Sequence, residues 1–436
     1  LDWNDVLPAE RCSYVLGNPP FIGKKEQTAE QKAYFEPVMN GIKGFGVLDF
    51  VAAWYIKAAR YIGQVTPRHA GLEPASMPRS AFVSTNSITQ GEQVGVLWGW
   101  MLAQGVHIQF AHRTFSWSNE AKGNAAVHCV IVGFGLEDRN DKIIFEYADI
   151  KGAPLAVQAK NINPYLVDGP FIALAKRHSP ICKAPLMTKG SEATDFGYLV
   201  LSTEEKSSLI HSDPKAAPWI RKYVGGDELI NNQDRWCLWL KELAPAELRS
   251  MPLILDRIHK VKTARLNSGK KRTKEWASMP SLFSEDRQPS DDYLAIPKVS
   301  SERRLYLPIS FAQKEWIASG SLLIVPNATL HDFGVLNSSM HMAWTRQVCG
   351  RLESRYQYSA SVVYNNYPWP GFAGEALSDK HRTTIEQAAQ CVLDARDQFA
   401  NSSLADLYDP LTMPPALHKA HQKLDTAVDA AYQPSG

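Results

Sequence analysis

The chain has 436 residues, of which 44% are hydrophobic and 21% are charged, and its net charge is +2. This length allows two or three domains with substantial cores, and the charge excludes a polycation that would bind nucleic acid over its whole surface. No apolar run approaches the roughly 18 residues of a membrane span, and we expect no signal peptide. The six cysteines form no C-x-x-C pair and no zinc-like group with histidines. We therefore expect reduced thiols, a cytoplasmic location and no metal site.

The first 160 residues alternate short apolar strands with helical stretches, which is typical of a doubly wound α/β sheet. Residues 47–62 have helical spacing, and one face is apolar: Leu48, Val51, Tyr55, Ala58 and Ile62. The apolar runs predict strands at 14–16, 81–85, 107–110 and 126–134.

The rest of the chain has a different pattern. Residues 161–375 are rich in proline and tryptophan and have short mixed segments, which predicts an α+β domain with long loops. Residues 376–436 turn helical, with few helix breakers in 378–400 and 414–432. We therefore divide the chain at residues 160 and 375.

A motif that can carry chemistry follows the first predicted strand, Gly17-Asn18-Pro19-Pro20-Phe21. It lies at the carboxyl edge, where α/β sheets hold their active sites. The Asn18 side-chain carbonyl and the Pro19 backbone carbonyl could accept from an amino group, which would free its delocalised lone pair. The two prolines stiffen the loop, and Phe21 offers a flat face for a base. The alternative is a proline-rich turn with a buried phenylalanine.

The motif resembles the N-P-P-[YF] motif of amino-methyltransferases that use S-adenosylmethionine, and its asparagine favours adenine N6 over cytosine N4. Five segments together resemble the MmeI-like enzymes, which are large bacterial restriction-modification proteins: LGNPPFIGKK, GVLDFVAAWYIKAA, STNSITQGEQV, FSWSNEAKGNAAVHCVIVGF and RYQYSASVVYNNYPWP. The resemblance covers nearly all of the chain. It implies part of a Rossmann-like methyltransferase sheet over residues 1–160, a target recognition domain over 161–375 and a helical C-terminal segment over 376–436.

The resemblance also implies roles for residues near the motif. Asp2 and Trp3 precede Asn18 at the distance of the acidic-aromatic pair that holds the cofactor's adenine; the alternative is a surface aspartate and a core tryptophan. Phe115, predicted to follow a strand, matches the aromatic residue that packs against the flipped target base. Trp117 competes for that role, and a core aromatic is the alternative.

Parts of the family pattern are missing. Its glycine-rich cofactor loop and its nuclease domain lie upstream of the Asp-Trp pair, and this chain begins with Leu1. We therefore expect a fragment that binds the cofactor weakly or not at all. The matches Gly44–Gly46 and Gly133–Gly135 do not fit a cofactor loop and are interpreted as turns.

A basic stretch at residues 257–274 has eight lysines and arginines and no acidic residue. Phosphate contacts supply most non-specific DNA affinity, so this stretch, with Lys270, Lys271 and Arg272, is a candidate phosphate clamp. The alternative is a solvated basic helix and loop.

A second segment, residues 300–306, is a candidate for reading bases. If it is an extended strand, Glu302 and Arg304 share one side and could read one C·G pair, because glutamate accepts from cytosine N4 and arginine donates to guanine. The resemblance points to the same segment. The alternative is an ordinary ion pair.

These observations predict sequence-specific methylation of adenine N6 in double-stranded DNA, with the target base flipped out of the duplex. Two alternatives stay open. The chain could be a DNA-binding module without activity of its own, or it could methylate RNA or a protein glutamine.

Overall fold

The computed structural model describes residues 2–65, 77–117, 127–372 and 377–433. It divides into two compact units: unit 1 consists of Leu1–Arg177 with Gln347–Glu353, and unit 2 of His178–Arg346 with Ser354–Gly436. Both units combine helices with sheets, which confirms the predicted mixture of the two.

Unit 1 contains a six-stranded sheet. Its strands are β1 Tyr14–Gly17, β2 Arg79–Thr85, β3 His107–Trp117, β4 Val127–Gly135, β5 Lys142–Glu146 and β6 Leu155–Ala159. Their order across the sheet is β1-β2-β4-β3-β5-β6. β1 is parallel to β2 and β3 is parallel to β5, whereas the other neighbours are antiparallel. Therefore β1, β2, β3 and β5 run in one direction, and their carboxyl ends lie at one edge.

The described residues of this part of unit 1 form the α-helices α1 Ala29–Val38, α2 Ala52–Ile62 and α3 Gly91–Ala103. Short 3₁₀ turns occupy Trp3–Asp5, Ala9–Arg11, Phe45–Val47 and Asn86–Thr89. The apolar face predicted within 47–62 is buried, and Tyr55 stacks on Phe134 at 5.5 Å between ring centroids. The predicted helix nevertheless begins at Ala52 rather than 47, because the chain around the buried Asp49 hydrogen-bonds to other segments instead.

The four strands predicted in this region all overlap observed strands, although residue 126 lies outside the described residues. One interpretation was wrong: Gly133 and Gly135 belong to β4 and do not form a turn. A Cβ atom at Gly133 would come within 2.0 Å of the Phe110 ring. The ring of Phe110 therefore covers the backbone of β4 at a place where only glycine fits.

Unit 2 is built from small sheets. The later strands of the chain are β7 Thr188–Lys189, β8 Val200–Leu201, β9 Ile220–Val224, β10 Trp236–Leu238, β11 Tyr293–Pro297, β12 Val299–Ser300, β13 Ser310–Ala312, β14 Ile317–Ala318, β15 Leu322–Pro326, β16 Gly350–Leu352 (in unit 1) and β17 Arg355–Gln357. Two sheets have four strands each, in the orders β14-β9-β10-β8 and β13-β11-β15-β7. β12 pairs with β17.

The helices that follow residue 200 are α4 Thr203–Ser212, α5 Gly226–Asn231, α6 Pro245–Arg249, α7 Pro252–Leu266, α8 Lys271–Glu275, α9 Leu330–Leu336, α10 Ser339–Val348, α11 Asp379–Asp397, α12 Leu404–Leu407 and α13 Pro415–Ala430. The helices predicted at 378–400 and 414–432 are confirmed as α11 and α13. Further single turns lie at Pro214–Trp219 and Trp276–Ser278, and Ala360–Tyr364 forms a π-helical turn.

A buried arginine holds one part of unit 2 together. Arg265, on α7, has no solvent exposure, and its guanidinium donates five hydrogen bonds of 2.8–3.1 Å. The acceptors are the backbone carbonyls of Ala193, Thr194, Trp276, Met279 and Leu282. All five N–H donors of the side chain are used, so the charge is compensated by carbonyl dipoles rather than by water.

Replacement of this arginine should be strongly destabilising. We expect Arg265→Met to lower the free energy of unfolding by at least about 3 kcal/mol, because five backbone carbonyls each lose a hydrogen bond from a charged donor. Lys262→Met, on the exposed side of the same helix, should change it by less than about 0.5 kcal/mol. Urea titration of both variants measures the difference, and similar midpoints for the two would contradict the prediction.

Candidate functional site

The Asn18-Pro19-Pro20-Phe21 loop leaves the sheet directly after β1. Gly17, the last residue of β1, pairs with Phe82 of β2. Asn18 and Pro20 are exposed, Phe21 is partly buried and Pro19 is buried. The loop therefore packs through Pro19 while the Asn18 amide remains accessible.

The sheet brings the loop and Phe115 to the same edge. Thr85 of β2 and Phe115 of β3 both pair with Cys129 of β4, from its two sides. Directly paired residues point to the same face, so Thr85 and Phe115 lie level, about 9–10 Å apart across β4. Among the described residues, however, no ring contact joins Phe21 to Phe115. That these two rings enclose a base stays a prediction.

Phe115 was predicted to follow a strand, but it lies inside β3. The strand continues past an irregularity between His112 and Phe115 and ends at Trp117, because β4 keeps pairing with it. Phe115 stacks on Tyr147 at 5.4 Å, and Trp117 is 6.2 Å from Phe115. The Tyr147 hydroxyl is 2.8 Å from His112 Nδ1, and His112 stacks on Phe145 at 4.2 Å. Both candidates for the base-packing role therefore belong to one aromatic cluster, in which burial lowers the pKa of His112.

Asp2 and Trp3 lie in the first turn of the chain. Asp2 Oδ1 accepts from the backbone and the side-chain amide of Asn4, at 3.0 and 3.2 Å, which lowers the pKa of the carboxyl group. Oδ2 has no hydrogen bond to a described residue. The Lys57 ammonium lies 5.0 Å from the centre of the Trp3 ring, and Tyr61 contacts that ring edge-on. One acceptor oxygen and one indole face thus fit an adenine ring.

A buried carboxylate that was not predicted from the sequence lies next to the N-P-P-F loop. Asp49 is 8% exposed, and its Oδ1 accepts from the Lys24 backbone N–H at 3.0 Å. Its Oδ2 accepts from the Ser87 hydroxyl. Asp49 lies within GVLDF and Ser87 within STNSITQ, two of the segments on which the family resemblance depends. A polar residue inside an otherwise apolar helix-like run was the signal that could have singled out Asp49.

The basic stretch at 257–274 is divided by the structure. Arg265 is buried, and Arg257 forms an ion pair with Glu205 at 2.9 Å, so these two are not available to phosphates. Lys270 and Lys271 are exposed at the start of α8. Arg272 is also exposed, and its Nη2 is 3.4 Å from Glu285. Lys270, Lys271 and Arg272 therefore stay candidates for a phosphate clamp, and Lys262 is a further exposed cation of the same stretch.

The prediction of an extended strand over residues 300–306 is wrong. β12 ends at Ser300, and a turn follows in which the Arg304 N–H donates to the Ser301 carbonyl at 3.3 Å. Glu302 is exposed in this turn, whereas the Arg304 side chain bends back to the Ser300 hydroxyl at 3.1 Å. They therefore do not share one side of a strand. The reason is that β17 pairs with only Val299 and Ser300, so nothing extends the strand.

The aromatic segment near residues 356–369 forms core instead of surface. Five of its residues are at most 4% exposed: Tyr356, Tyr358, Tyr364, Tyr367 and Trp369. His341 packs among them, with no solvent exposure, and its Nε2 is 2.9 Å from the Tyr358 hydroxyl. Burial lowers the pKa of His341 to about 3.

Within residues 2–65, 77–117, 127–372 and 377–433, no group of three or more His, Cys, Asp or Glu side chains could hold a metal ion. Over the same residues, every helix is too short or too polar to cross a membrane.

Comparison with known proteins gives three family matches in chain order. The model described as "MmeI, DNA-methyltransferase domain" matches residues 1–146, "MmeI, target recognition domain" matches 168–371, and "MmeI, C-terminal domain" matches 377–435. The chain is 37% identical over 436 residues to DNA methyltransferase A of Bacillus subtilis (strain 168), with 99% of this chain and 47% of that protein covered.

Among solved structures, the chain is similar to the type IIL restriction-modification enzyme MmeI in complex with DNA. The TM-score is 0.91 and the sequence identity 51%, over 100% of this chain and 57% of that one. The chain thus spans about half the length of each of these relatives.

The buried His341 predicts a pH dependence of stability. Burial lowers the pKa of His341 from the ordinary 6.5 to about 3 in the folded state. Between pH 3 and pH 6.5, this imidazole is therefore mainly protonated in the unfolded chain and neutral in the folded one. This contribution to stability is complete above pH 6.5, and up to about 1.4 kcal/mol is lost for each pH unit below it. Unfolding free energies of the wild type and His341→Gln between pH 7 and 5 should show a shallower slope for the variant. His259→Gln, which removes an exposed histidine, serves as control, and parallel slopes for wild type and His341→Gln would refute the prediction.

Proposed function

Since the chain belongs to the MmeI family, we propose that it transfers a methyl group from S-adenosylmethionine to adenine N6 at a specific sequence in duplex DNA. The observation that carries the proposal is the accessible Asn18 amide in a Gly-Asn-Pro-Pro-Phe loop at the carboxyl end of β1. The match of residues 168–371 to a target recognition domain supports DNA over RNA or protein as the substrate.

Asn18 and Pro19 would act on the adenine amino group. The Asn18 Oδ1 atom and the Pro19 carbonyl oxygen would each accept a hydrogen bond from an N–H group of N6. This pulls the nitrogen toward a tetrahedral geometry, so its lone pair leaves the ring system and can attack. The reaction needs acceptors and alignment more than a strong base, which agrees with an asparagine in place of a titratable group.

The target base must leave the duplex before it can reach Asn18, at a cost of a few kcal/mol. Phe21, in the same loop, would stack on the flipped base. Phe115, held by Tyr147 at the same edge of the sheet, would pack on it from the β3 side. Trp117 is the neighbouring candidate for that contact.

S-adenosylmethionine supplies the electrophilic methyl group when it is bound. From this chain, Asp2 would accept from the amino group of the cofactor's adenine through Oδ2, and Trp3 would pack on the ring with the face opposite Lys57. This chain covers 47% and 57% of the length of the two relatives. Cofactor binding and any nuclease activity are therefore proposed only for the full-length natural protein, for which we also expect a cytoplasmic location.

Contacts in unit 2 would offset the cost of base flipping. Lys270, Lys271 and Arg272 are exposed and would bind backbone phosphates. Glu302 and Arg304 are proposed to read a C·G pair, now as parts of a turn. Glu302 is exposed for cytosine N4, and Arg304 would have to leave Ser300 to reach guanine.

Removal of the Asn18 amide should slow methyl transfer strongly without loss of DNA binding. We expect Asn18→Ala in the full-length natural protein to lower the methyl-transfer rate by about 10²–10³-fold, as for other lost transition-state contacts. The control is Asn140→Ala, because Asn140 is exposed in the turn before β5, at the opposite edge of the sheet. Radiolabelled transfer to duplex DNA, RNA and protein, with DNA binding measured in parallel, distinguishes the candidates. Transfer only to RNA or protein, or DNA binding without any transfer by the wild type, would contradict the proposal.

The phosphate clamp makes a separate prediction. Lys270→Gln combined with Lys271→Gln should reduce the slope of log K against log salt by about 2, because each phosphate contact contributes about 0.9. The control is Lys419→Gln combined with Lys423→Gln, which removes two exposed lysines from α13. Fluorescence anisotropy at several salt concentrations gives both slopes. Equal slopes for the two double variants would exclude residues 270–271 from the interface.

A further inference from the structure

Asp49 connects three segments of unit 1, two through its carboxylate and one through its backbone N–H. Oδ1 accepts from the Lys24 N–H, in the segment that follows the N-P-P-F loop. Oδ2 accepts from the Ser87 hydroxyl, just beyond the carboxyl end of β2. The Asp49 N–H donates to Gln93 Oε1 at 3.1 Å, on the first turn of α3. Both oxygens of a buried charge are thus used, as burial of a carboxylate requires.

Further hydrogen bonds reinforce this connection. The Phe50 N–H donates to the Ile22 carbonyl at 2.9 Å, and the Gln27 side chain donates to the Leu48 carbonyl at 3.3 Å. Residues 22–27 are therefore fixed to residues 48–50 by both backbone and side-chain bonds.

The N-P-P-F loop is consequently held at both ends. At its start, the pairing of Gly17 with Phe82 fixes it to β2. At its end, Lys24 is fixed to Asp49. Asp49 in turn is fixed through Ser87, whose hydroxyl is 2.7 Å from that of Thr85, the last residue of β2. Both ends of the loop are therefore attached to the same strand, β2.

We propose that Asp49 is a positioning residue for methyl transfer: it sets the place of Asn18 by holding the end of the loop against the carboxyl end of β2. The inference rests on the proposed function. Asp49 acts through the loop and need not touch adenine or the cofactor. Its charge matters because hydrogen bonds to a carboxylate are about twice as strong as those to a neutral acceptor.

Asparagine at this position tests the charge with little change in shape. An amide has one acceptor oxygen, so Asp49→Asn cannot accept from both Lys24 N–H and Ser87. Ser87 can rotate and accept instead, whereas the Lys24 N–H cannot. With its oxygen toward the Lys24 N–H and its NH₂ toward Ser87, the amide keeps both contacts, but it holds Lys24 through a neutral acceptor, which is about half as strong as a carboxylate. Ser87→Ala is the milder variant, because it leaves the bond to Lys24 intact.

The experiment compares the full-length natural protein with Asp49→Asn, Ser87→Ala and the control Asp168→Asn. Asp168 also accepts two backbone N–H bonds in unit 1, from Lys160 and Asn161, but it lies away from the loop. Three quantities are measured: the single-turnover rate of methyl transfer, the dissociation constant for DNA, and the rate of trypsin cleavage after Lys24 and Lys25, both of which are exposed.

We expect Asp49→Asn to lower the single-turnover rate by about 10²-fold, as for a displacement of about 1 Å in a reacting group. DNA affinity should be unchanged and trypsin cleavage after Lys24 and Lys25 should accelerate. Ser87→Ala should show smaller changes in the same direction, and Asp168→Asn should show neither. A wild-type transfer rate in Asp49→Asn, or an equal loss in Asp168→Asn, would overturn the inference. If the wild type transfers no methyl group to DNA, the proposed function fails, whereas unchanged trypsin cleavage in Asp49→Asn refutes the positioning role independently.

Discussion

Strand direction is the constraint on which the candidate site depends. The segment that follows a strand begins at the carboxyl end of that strand. β1 pairs with β2, and β4 pairs with both β2 and β3, so the carboxyl ends of β1, β2 and β3 lie at one edge of the sheet. Local sequence alone cannot place Asn18 and Phe115 together, because 97 residues separate them in the chain. The hydrogen-bonded register brings the end of β1 and Phe115 to the same edge of the sheet.

The elements that the sequence predicts well are those in which burial follows a period. The strand at 81–85 and the two C-terminal helices are examples, because their apolar spacing shows directly which side of the element faces a core. The loop at Asn18 was also predictable, since its prolines and its position after a strand are local features. The helix at 47–62 was placed too early because apolar Leu48 and Val51 continue the helical period, although the chain there is held by hydrogen bonds to other segments.

The parts that sequence could not predict depend on polar partners far away in the chain. The sequence shows residues 257–274 as a uniform basic stretch. In the structure, however, Arg265 donates to backbone carbonyls of two other segments, and Arg257 forms an ion pair with Glu205. The strand expected at 300–306 failed for a related reason, because the length of a strand depends on how far its partner extends. The tyrosines near residue 360 are core for the same reason: their exposure is decided by what packs on them.

The hydrogen bonds of Arg265 all end on main-chain carbonyls, and this has a consequence for sequence divergence. Every residue type offers the same acceptor, so the side chains of Ala193, Thr194 or Leu282 can be exchanged without removal of any of these bonds. The arginine itself has no substitute, since lysine has only three donors and no planar fork. We therefore expect related sequences to keep the arginine at position 265, while the residue types that supply the five carbonyls can change without loss of these hydrogen bonds.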